Sequence, residues 1–248
     1  MNPFDLTGRV AVVTGANTGI GQGIAVALAN AGADIVTVGR SPTDATQALL
    51  QGTRHHDIRA DLSSATPTAG IVDEVIAKMG RVDILVNNAG IIRRADAVDY
   101  TEADWDAVID TNLKSLFFLS QAAGRAMIAQ GSGKIVNIAS LLSFQGGIRI
   151  PAYTAAKSGV AGLTRLLACE WAAKGVNVNA IAPGYIETNN TTALREDAKR
   201  NADILGRIPA GRWGQPSDMG GAAVFLASSA SDYVNGVVLP VDGGWLAR

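Results

Sequence analysis

Short runs of β-branched and aliphatic residues alternate with longer mixed stretches along most of the chain. Most of the short runs are almost wholly apolar, which is typical of strands buried on both faces of a parallel sheet. The longer stretches have the length of crossover helices. The pattern therefore predicts an α/β fold with helices on both faces of the sheet. Strands are predicted at residues 10–14, 34–38, 55–58, 83–87, 134–138, 177–181 and 236–239. Helices are predicted near residues 19–31, 66–79, 101–129, 152–174 and 216–228.

The same pattern argues for one domain that spans residues 1–248. A length of 248 residues suits one large α/β domain, and no linker, repeat or shift in composition divides the chain. About residues 185–213 the sequence is polar, weakly periodic and bounded by glycine and proline. That profile favours a mobile lid over a bound substrate rather than a second domain.

Composition and charge narrow the classes of function. The net charge of −1 gives no electrostatic case for binding nucleic acid or an anionic membrane. No apolar run approaches the ~18 residues of a spanning helix, and no signal peptide is evident. The single cysteine, Cys169, excludes an internal disulfide and fits a cytoplasmic protein. Adjacent His55 and His56 would point to opposite faces of a strand, so no metal site is predicted.

A glycine-rich turn follows the first predicted strand and opens the first predicted helix. The run from Gly15 to Gly21 has the spacing Gly-x-x-x-Gly-x-Gly. Turns of this kind at a helix N-terminus hold a pyrophosphate with backbone N–H groups, so the turn predicts a dinucleotide site. An ordinary βα turn is the alternative reading. The predicted cofactor contacts here are Gly15, Asn17, Thr18, Gly19, Ile20 and Gly21.

Later strand ends add to the predicted cofactor site, because open α/β sheets bind ligands at the carboxyl ends of their strands. Asp61 and Leu62 follow the third strand, and the segment Asn88-Ala89-Gly90 follows the fourth. The second strand ends in Gly39-Arg40-Ser41 without an acid that would bind a free ribose 2′-hydroxyl. Arg40 could instead pair with a 2′-phosphate, which favours NADP(H).

Tyr153 and Lys157 are the strongest candidates for chemistry. Four residues apart on a predicted helix, they share one face about one turn apart. A phenol with a pKa of ~10 is a weak acid–base group at neutral pH, but a nearby ammonium favours the phenolate. The pair therefore indicates proton transfer to or from an alcohol or carbonyl.

Two further polar residues extend this centre. Ser140 ends the fifth predicted strand, where its hydroxyl could hold the substrate oxygen opposite Tyr153. Asn112 lies within a predicted helix, where asparagine is unfavourable. We expect it to bend the helix locally and to orient a water toward Lys157. A core amide bonded to neighbouring backbone is the alternative for Asn112.

Taken together, these motifs resemble the short-chain dehydrogenase/reductase family, and they occur in the family's order over most of the chain. The resemblance implies a Rossmann-type, doubly wound domain with a seven-stranded parallel sheet, a nicotinamide cofactor and a homotetramer. It also implies that Tyr153 is the acid–base group, and that Lys157 lowers its pKa and holds the nicotinamide ribose. In the same pattern Ser140 orients the carbonyl and Asn112 supports a proton relay. The remaining cofactor contacts that it implies are Pro183, Gly184, Ile186 and Thr188.

Other segments are similar to a subgroup of this family that oxidises deoxy sugar acids. They include residues 139–149, 208–214 and 241–248. The subgroup implies NAD, which conflicts with the reading of Arg40, so NAD and NADP both stay open. Arginines at the expected mouth of the cleft also suggest a carboxylate substrate. The predicted substrate contacts are Arg94, Arg149, Gln145, Ser140 and Asn190, with Arg93 as a further candidate or a surface residue.

Two alternative functions remain open from the sequence. The same chemistry could act on another carbonyl, such as a 3-oxoacyl thioester or a steroid. The cleft arginines argue against an apolar substrate. The chain could also be a non-catalytic dinucleotide-binding sensor, against which the intact set Asn112, Ser140, Tyr153 and Lys157 argues.

Overall fold

The computed structural model describes residues 2–50 and 52–248. Seven strands form one parallel sheet in the order β3-β2-β1-β4-β5-β6-β7. This is the doubly wound Rossmann arrangement, and it confirms the predicted fold class. The strands are β1 (Val10–Thr14), β2 (Asp34–Gly39), β3 (His55–Arg59), β4 (Ile84–Asn87), β5 (Gly133–Ile138), β6 (Val176–Pro183) and β7 (Val238–Val241).

Helices cover both faces of the sheet, as the alternating pattern predicts. They are α1 (Gly19–Asn30), α2 (Asp44–Gln47), α3 (Thr68–Met79), α4 (Glu102–Ile109), α5 (Ser115–Gln130), α6 (Pro151–Trp171), α7 (Thr192–Glu196), α8 (Ala198–Leu205) and α9 (Gly220–Ala227). A π-helical turn, Asp110–Lys114, joins α4 to α5. None of the helices in the described ranges is both long and apolar enough to cross a membrane.

The core has one layer on each face of the sheet, because successive strand residues point to opposite sides. On one face, Val10 and Val12 of β1 pack with α3, α5 and α6. On the other face, Ala11 and Val13 pack with α1 and α9. Both sets of strand residues are at most 2% exposed. The sheet is thus held rigidly from both sides, and its strand ends are fixed in space.

The order of strands reverses between β1 and β4, which are neighbours in the sheet. β1 continues through α1 to β2 on one side, while the second half of the chain builds outward from β4. The two halves therefore diverge at the carboxyl ends of these strands and leave a crevice there. The residues that follow β1 and β4 are those of the glycine-rich turn and of Asn88–Gly90.

Candidate active site

Three adjoining cavities lie at the carboxyl ends of the strands. A cavity of about 260 Å³ lies beyond β2 and β3, and one of about 280 Å³ lies over the glycine-rich turn. These two share Gly15, Asn17, Ala89 and Gly90 in their walls. A third cavity of about 440 Å³ lies under the segment that follows β6, and it shares Tyr153 with the second. Together they form one cleft, which we describe as the adenosine end, the turn and the substrate cavity.

The glycine-rich turn is packed too closely for side chains. Gly15 and Gly19 have φ values of 63° and 58°, a region that favours glycine. A Cβ atom on Gly21 would collide with the Gly15 carbonyl and the Asn88 side chain. Asn88 Nδ2 donates to the carbonyl oxygens of Thr14 at 2.9 Å and Gly15 at 3.1 Å. The turn is therefore a preformed cradle of bare backbone, which fits a pyrophosphate.

At the adenosine end, Arg40 and Asp61 lie close to each other. Arg40 Nε is 3.8 Å from Asp61 Oδ1, and both side chains are more than half exposed. Hydrogen bonds from the backbone N–H and the side chain of Ser63, followed by the charge of Arg40, hold the pKa of Asp61 below its ordinary value. Leu62 and Ser41 complete this wall. Among the residues that follow β2 in this wall, none carries a carboxylate.

The other residues predicted to contact a cofactor divide between the cavities. Asn17, Thr18, Ile20 and Thr188 line the cavity over the turn. Pro183 and Gly184 line the substrate cavity. Gly21 and Ile186 lie beneath the cleft surface, where Ile186 packs in the core and forms a bridge with Gly214.

Tyr153 and Lys157 lie on the first turns of α6 and face the cleft, as their spacing predicts. The Lys157 ammonium is 5.5 Å from the centre of the Tyr153 ring. Lys157 is 4% exposed, and its Nζ donates to the Ile138 carbonyl at 2.6 Å. An ammonium has three N–H donors, so this nearly buried group can bind further acceptors such as ribose hydroxyls.

The pKa values of this pair depend mainly on burial. Burial lowers the pKa of Lys157 to about 8. Burial also raises the pKa of Tyr153, while a hydrogen bond with Ser140 and the charge of Arg94 act in the opposite direction. The sequence predicted a lowered pKa for Tyr153, and that prediction is wrong, because the effect of burial is larger than that of Ser140 and Arg94. The phenol is therefore protonated at neutral pH, ready to donate.

Asn112 lies within the π-helical turn, where it is 1% exposed. Its Oδ1 accepts from the Ile91 N–H at 2.8 Å, and its Nδ2 donates to the Ile91 carbonyl at 2.8 Å. The predicted local distortion of the helix is thus present as a π turn, a form that is frequent at functional sites. The side chain braces the segment after Gly90, and a contribution to proton transfer stays a prediction.

Ser140 lies at the end of β5 and in the wall of the substrate cavity together with Tyr153. Arg94, Gln145 and Asn190 line the same cavity, which brings together four of the five predicted substrate contacts. Arg94 Nη2 donates to the Asn190 carbonyl at 3.1 Å. The cavity therefore combines hydroxyl and amide groups with a guanidinium next to the acid–base tyrosine.

Arg149 is the predicted substrate contact that the structure does not bring to this cavity. Its Nε lies 3.0 Å from Asp96 Oδ1, and both side chains are largely exposed. Arg149 has a φ of 64°, so the backbone turns sharply there before α6 begins. Arg93 likewise pairs with Asp104 at 3.4 Å and lines the adenosine end.

Sequence reasoning missed several residues of the substrate cavity, among them two arginines and a tryptophan. Arg200 and Arg207 come from the segment after β6, and Trp245 comes from near the end of the chain. The Arg207 guanidinium lies 4.0 Å from the centre of the Trp245 ring. Arg200 lies on α8, which is too short and polar to be predicted, and the Arg207–Trp245 contact joins distant parts of the sequence.

The parallel sheet, glycine-rich turn and Ser–Tyr–Lys centre define a Rossmann-fold oxidoreductase. A family model described as enoyl-(acyl carrier protein) reductase matches residues 15–246. The chain belongs to the short-chain dehydrogenase/reductase family of NAD(P)-dependent enzymes, which confirms the resemblance seen in its motifs.

Individual relatives are similar over the whole chain. A 2-dehydro-3-deoxy-D-gluconate 5-dehydrogenase of Escherichia coli (strain K12) is 59% identical, with 100% of this chain and 99% of the relative covered. A solved structure from Agrobacterium tumefaciens, described as a 2-deoxy-D-gluconate 3-dehydrogenase with bound NADP, is 61% identical with a TM-score of 0.95 and full coverage of both chains. A gluconate 5-dehydrogenase from Burkholderia cenocepacia J2315, in complex with NADP and tartrate, is 42% identical with a TM-score of 0.96 and covers 100% of this chain and 98% of its own.

Proposed function

We propose that this protein interconverts a hydroxyl and a keto group of a deoxy sugar acid, with NADP(H) as its cofactor. The observation that carries the proposal is the single cavity in which Tyr153 and Ser140 meet arginines that have no ion-pair partner among the described residues. An acid–base hydroxyl pair fits a carbonyl or alcohol, and unpaired guanidinium groups fit a carboxylate. The names of the relatives from Escherichia coli and Agrobacterium tumefaciens support the same substrate class.

The proposed cofactor fits the cleft on its geometry. The bare backbone of the glycine-rich turn would hold the pyrophosphate, and the N–H groups of Lys157 would hold the nicotinamide ribose. Thr188, Pro183 and Gly184 would lie toward the nicotinamide. When bound, a nicotinamide cofactor supplies or accepts the hydride.

The protein's own side chains donate and accept the proton of the reaction. Tyr153, protonated at neutral pH because burial raises its pKa, donates to the oxygen of the keto group during reduction and takes the proton back during oxidation. Ser140 holds that oxygen and lowers the pKa of the tyrosine by hydrogen bonding. The positive charge of Arg94 favours the phenolate in the same way.

The proposed preference for NADP(H) rests on the adenosine end. Arg40 is exposed and is held only loosely by Asp61, so it is available to pair with a 2′-phosphate. Two of the solved relatives contain NADP, which supports this choice over NAD. NAD use would require that Asp61 or backbone groups bind the free ribose hydroxyls.

A substrate panel tests this function. Initial rates should be measured with 2-dehydro-3-deoxy-D-gluconate, 2-deoxy-D-gluconate and a 3-oxoacyl thioester, each with NADP(H) and NAD(H). We expect the sugar acids to give the highest kcat/KM, and NADP(H) to be preferred. A preference for the thioester would identify a reductase of acyl carbonyls. Binding of NADP(H) without turnover of any compound would favour the sensor.

We also propose that the protein is a cytoplasmic homotetramer. Three large apolar side chains, Trp105, Phe118 and Leu166, are 41%, 38% and 48% exposed on α4, α5 and α6. Contact between subunits would remove such surface from water. Light scattering of the purified protein should give four times the mass of one chain, and a monomer would refute the proposal.

A further inference from the structure

The arginines of the substrate cavity differ from those around it in their partners. Arg94, Arg200 and Arg207 line the cavity, and none of them forms an ion pair with a carboxylate of the described residues. The nearby Arg93 and Arg149 are each neutralised by an aspartate. One acid, Asp203, also lines the cavity, so its wall carries an excess of positive charge.

Arg207 has the best-defined position of the two arginines from the segment after β6. Its guanidinium lies over the Trp245 ring at 4.0 Å, a cation–π distance. Trp245 is 4% exposed, donates from Nε1 to Gln145 Oε1 at 3.2 Å, and packs against the Tyr185 ring with centroids 4.6 Å apart. A guanidinium held by its face keeps the N–H groups at its rim free for a bidentate carboxylate bond.

Arg94 occupies a different part of the cavity. It is the cation whose charge acts on the pKa of Tyr153, and one of its N–H groups is bonded to the Asn190 carbonyl. Asn190 and Tyr153 both line the cavity over the turn, whereas Arg207 and the Trp245 ring that it covers line only the substrate cavity. The cavity thus has one cation next to the proton donor and another mounted on Trp245 away from it.

We propose that Arg207, held on Trp245, binds the substrate's carboxylate, and that the enzyme therefore reacts at a carbon several bonds from that carboxylate. This inference rests on the proposed function and specifies its substrate. In a six-carbon acid, C1 and C5 are separated by four C–C bonds, roughly 5 Å in an extended chain. A carboxylate bound at Arg207 leaves C5 to face Tyr153 and Ser140. A substrate oxidised close to its carboxylate would bring that group to Arg94 instead.

The test compares an acid with its uncharged amide in three variants. The kcat/KM for oxidation of 2-dehydro-3-deoxy-D-gluconate and of its C1 primary amide should be measured for wild-type, Arg207→Gln, Arg94→Gln and Lys199→Gln enzymes. Lys199 is an exposed cation of α8 that does not line the cavity, so it controls for overall charge. We expect Arg207→Gln to lower kcat/KM for the acid about 10- to 100-fold, chiefly through KM, because a charge-assisted bond is lost. The amide should react with wild type and Arg207→Gln at similar rates.

Two further readouts separate this role from a structural one. The pH profile of Arg207→Gln should match that of wild type, whereas the profile of Arg94→Gln should move to higher pH. The product of the acid should carry its new ketone at C5 by NMR. The inference is overturned if Arg94→Gln, and not Arg207→Gln, removes the preference for acid over amide, or if the ketone forms at C4. If wild type oxidises neither acid nor amide with either cofactor, the proposed function itself fails.

Discussion

Tyr153 is surrounded by groups that shift its pKa in opposite directions. Burial raises its pKa, and the hydroxyl of Ser140 and the charge of Arg94 lower it. The balance leaves a phenol that keeps its proton at neutral pH. A residue in that state is a proton donor by default, and it needs alkaline conditions or a bound ligand to act as a base.

This balance predicts opposite pH dependences for the two directions of the reaction. Oxidation needs the phenolate, so its kcat/KM should rise with pH until the pKa of Tyr153 is reached. Reduction needs the phenol, so its kcat/KM should be flat through neutral pH and fall only above that pKa. Initial rates in both directions across the pH range test this. Because the pKa of Lys157 is about 8 and this residue would hold the ribose, the rates are measured at saturating cofactor. Under that condition, a reduction kcat/KM for the substrate that falls between neutral and mildly alkaline pH would contradict a raised pKa of Tyr153.

Burial of the charged Lys157 side chain lowers the stability of the folded chain, although we expect the side chain to be needed for activity. Its pKa is about 8 in the folded chain and 10.5 as the ordinary value, so the unfolded chain binds more protons between these limits. Stability should therefore rise as the pH rises through this window. Below the window the buried ammonium is charged, and burying that charge costs about 3 kcal/mol. In Lys157→Met this cost is removed. The hydrogen bond to the Ile138 carbonyl is lost as well, which reduces the gain in stability by about 1 kcal/mol.

We therefore expect Lys157→Met without cofactor to be more stable than wild type by roughly 1 to 3 kcal/mol at pH 7 and to be nearly inactive. Urea unfolding at neutral pH and near pH 10 measures this, and the difference should shrink at the higher pH. A variant that is less stable at pH 7 would contradict the account.

At the scale of single residues, the sequence predicts those whose neighbours are fixed by local geometry. Helical spacing alone puts Tyr153 and Lys157 on one face, and strand ends alone put Ser140 at the cleft. Arg149 is four residues from Tyr153, and its neighbours Ile148 and Ile150 line the cavity, but at a φ of 64° its own side chain pairs with Asp96 instead. Arg207 could not be found because its partner, Trp245, is distant in sequence.

At the scale of elements, a polar network behind the adenosine end positions Arg40. Asp57 of β3 accepts from the hydroxyls of Thr37 and Thr43, each at 2.7 Å. The same carboxylate accepts from Arg59 Nε at 2.8 Å, and Arg59 Nη1 donates to the Arg40 carbonyl at 3.2 Å. Two neighbouring strands are thereby tied to the loop that carries Arg40.

Loss of this tie should weaken binding of NADP(H) more than chemistry. We expect Arg59→Gln to raise the Kd of NADPH about 3- to 10-fold and to leave kcat close to wild type, because one hydrogen bond to the Arg40 backbone is lost. Arg54→Gln is the matched control, since Arg54 is similarly exposed but pairs with Asp34 at 3.9 Å. Fluorescence titration of NADPH measures the difference. Equal affinities for the two variants would show that Arg59 does not position the loop.

The sequence also predicts most elements, and its failures have physical causes. All seven strands and the five long helical regions are predicted, because buried strands and crossover helices differ strongly in period. The predicted helix at 101–129 is divided into α4 and α5 by the π turn at Asp110–Lys114. The local bend expected at Asn112 is present, but its π-helical form was not predicted. Within the predicted lid, α7 and α8 are short and polar, so the weakly periodic sequence there does not predict them as helices.

At the scale of the molecule, the cleft joins parts of the chain that are far apart in sequence. The first half supplies the glycine-rich turn, Arg40 and Arg94, and the second half supplies α6 and most of the wall of the substrate cavity. Tyr185, Trp213 and Trp245 form an aromatic cluster that ties the segment after β6 to the end of the chain. Movement of this segment as a lid stays a prediction. The segment includes Arg200 and Arg207, so its movement would also move these two arginines of the cavity wall.

The most direct test of the central claim is the initial rate of NADPH formation with 2-dehydro-3-deoxy-D-gluconate, for wild type and Tyr153→Phe side by side. We expect turnover by wild type and a loss of about 10²- to 10⁴-fold in kcat for the variant, because positioned acid–base catalysis is removed. The Kd of NADPH should be the same for both. Near-normal kcat in Tyr153→Phe, or no turnover of any sugar acid by wild type, would contradict the claim.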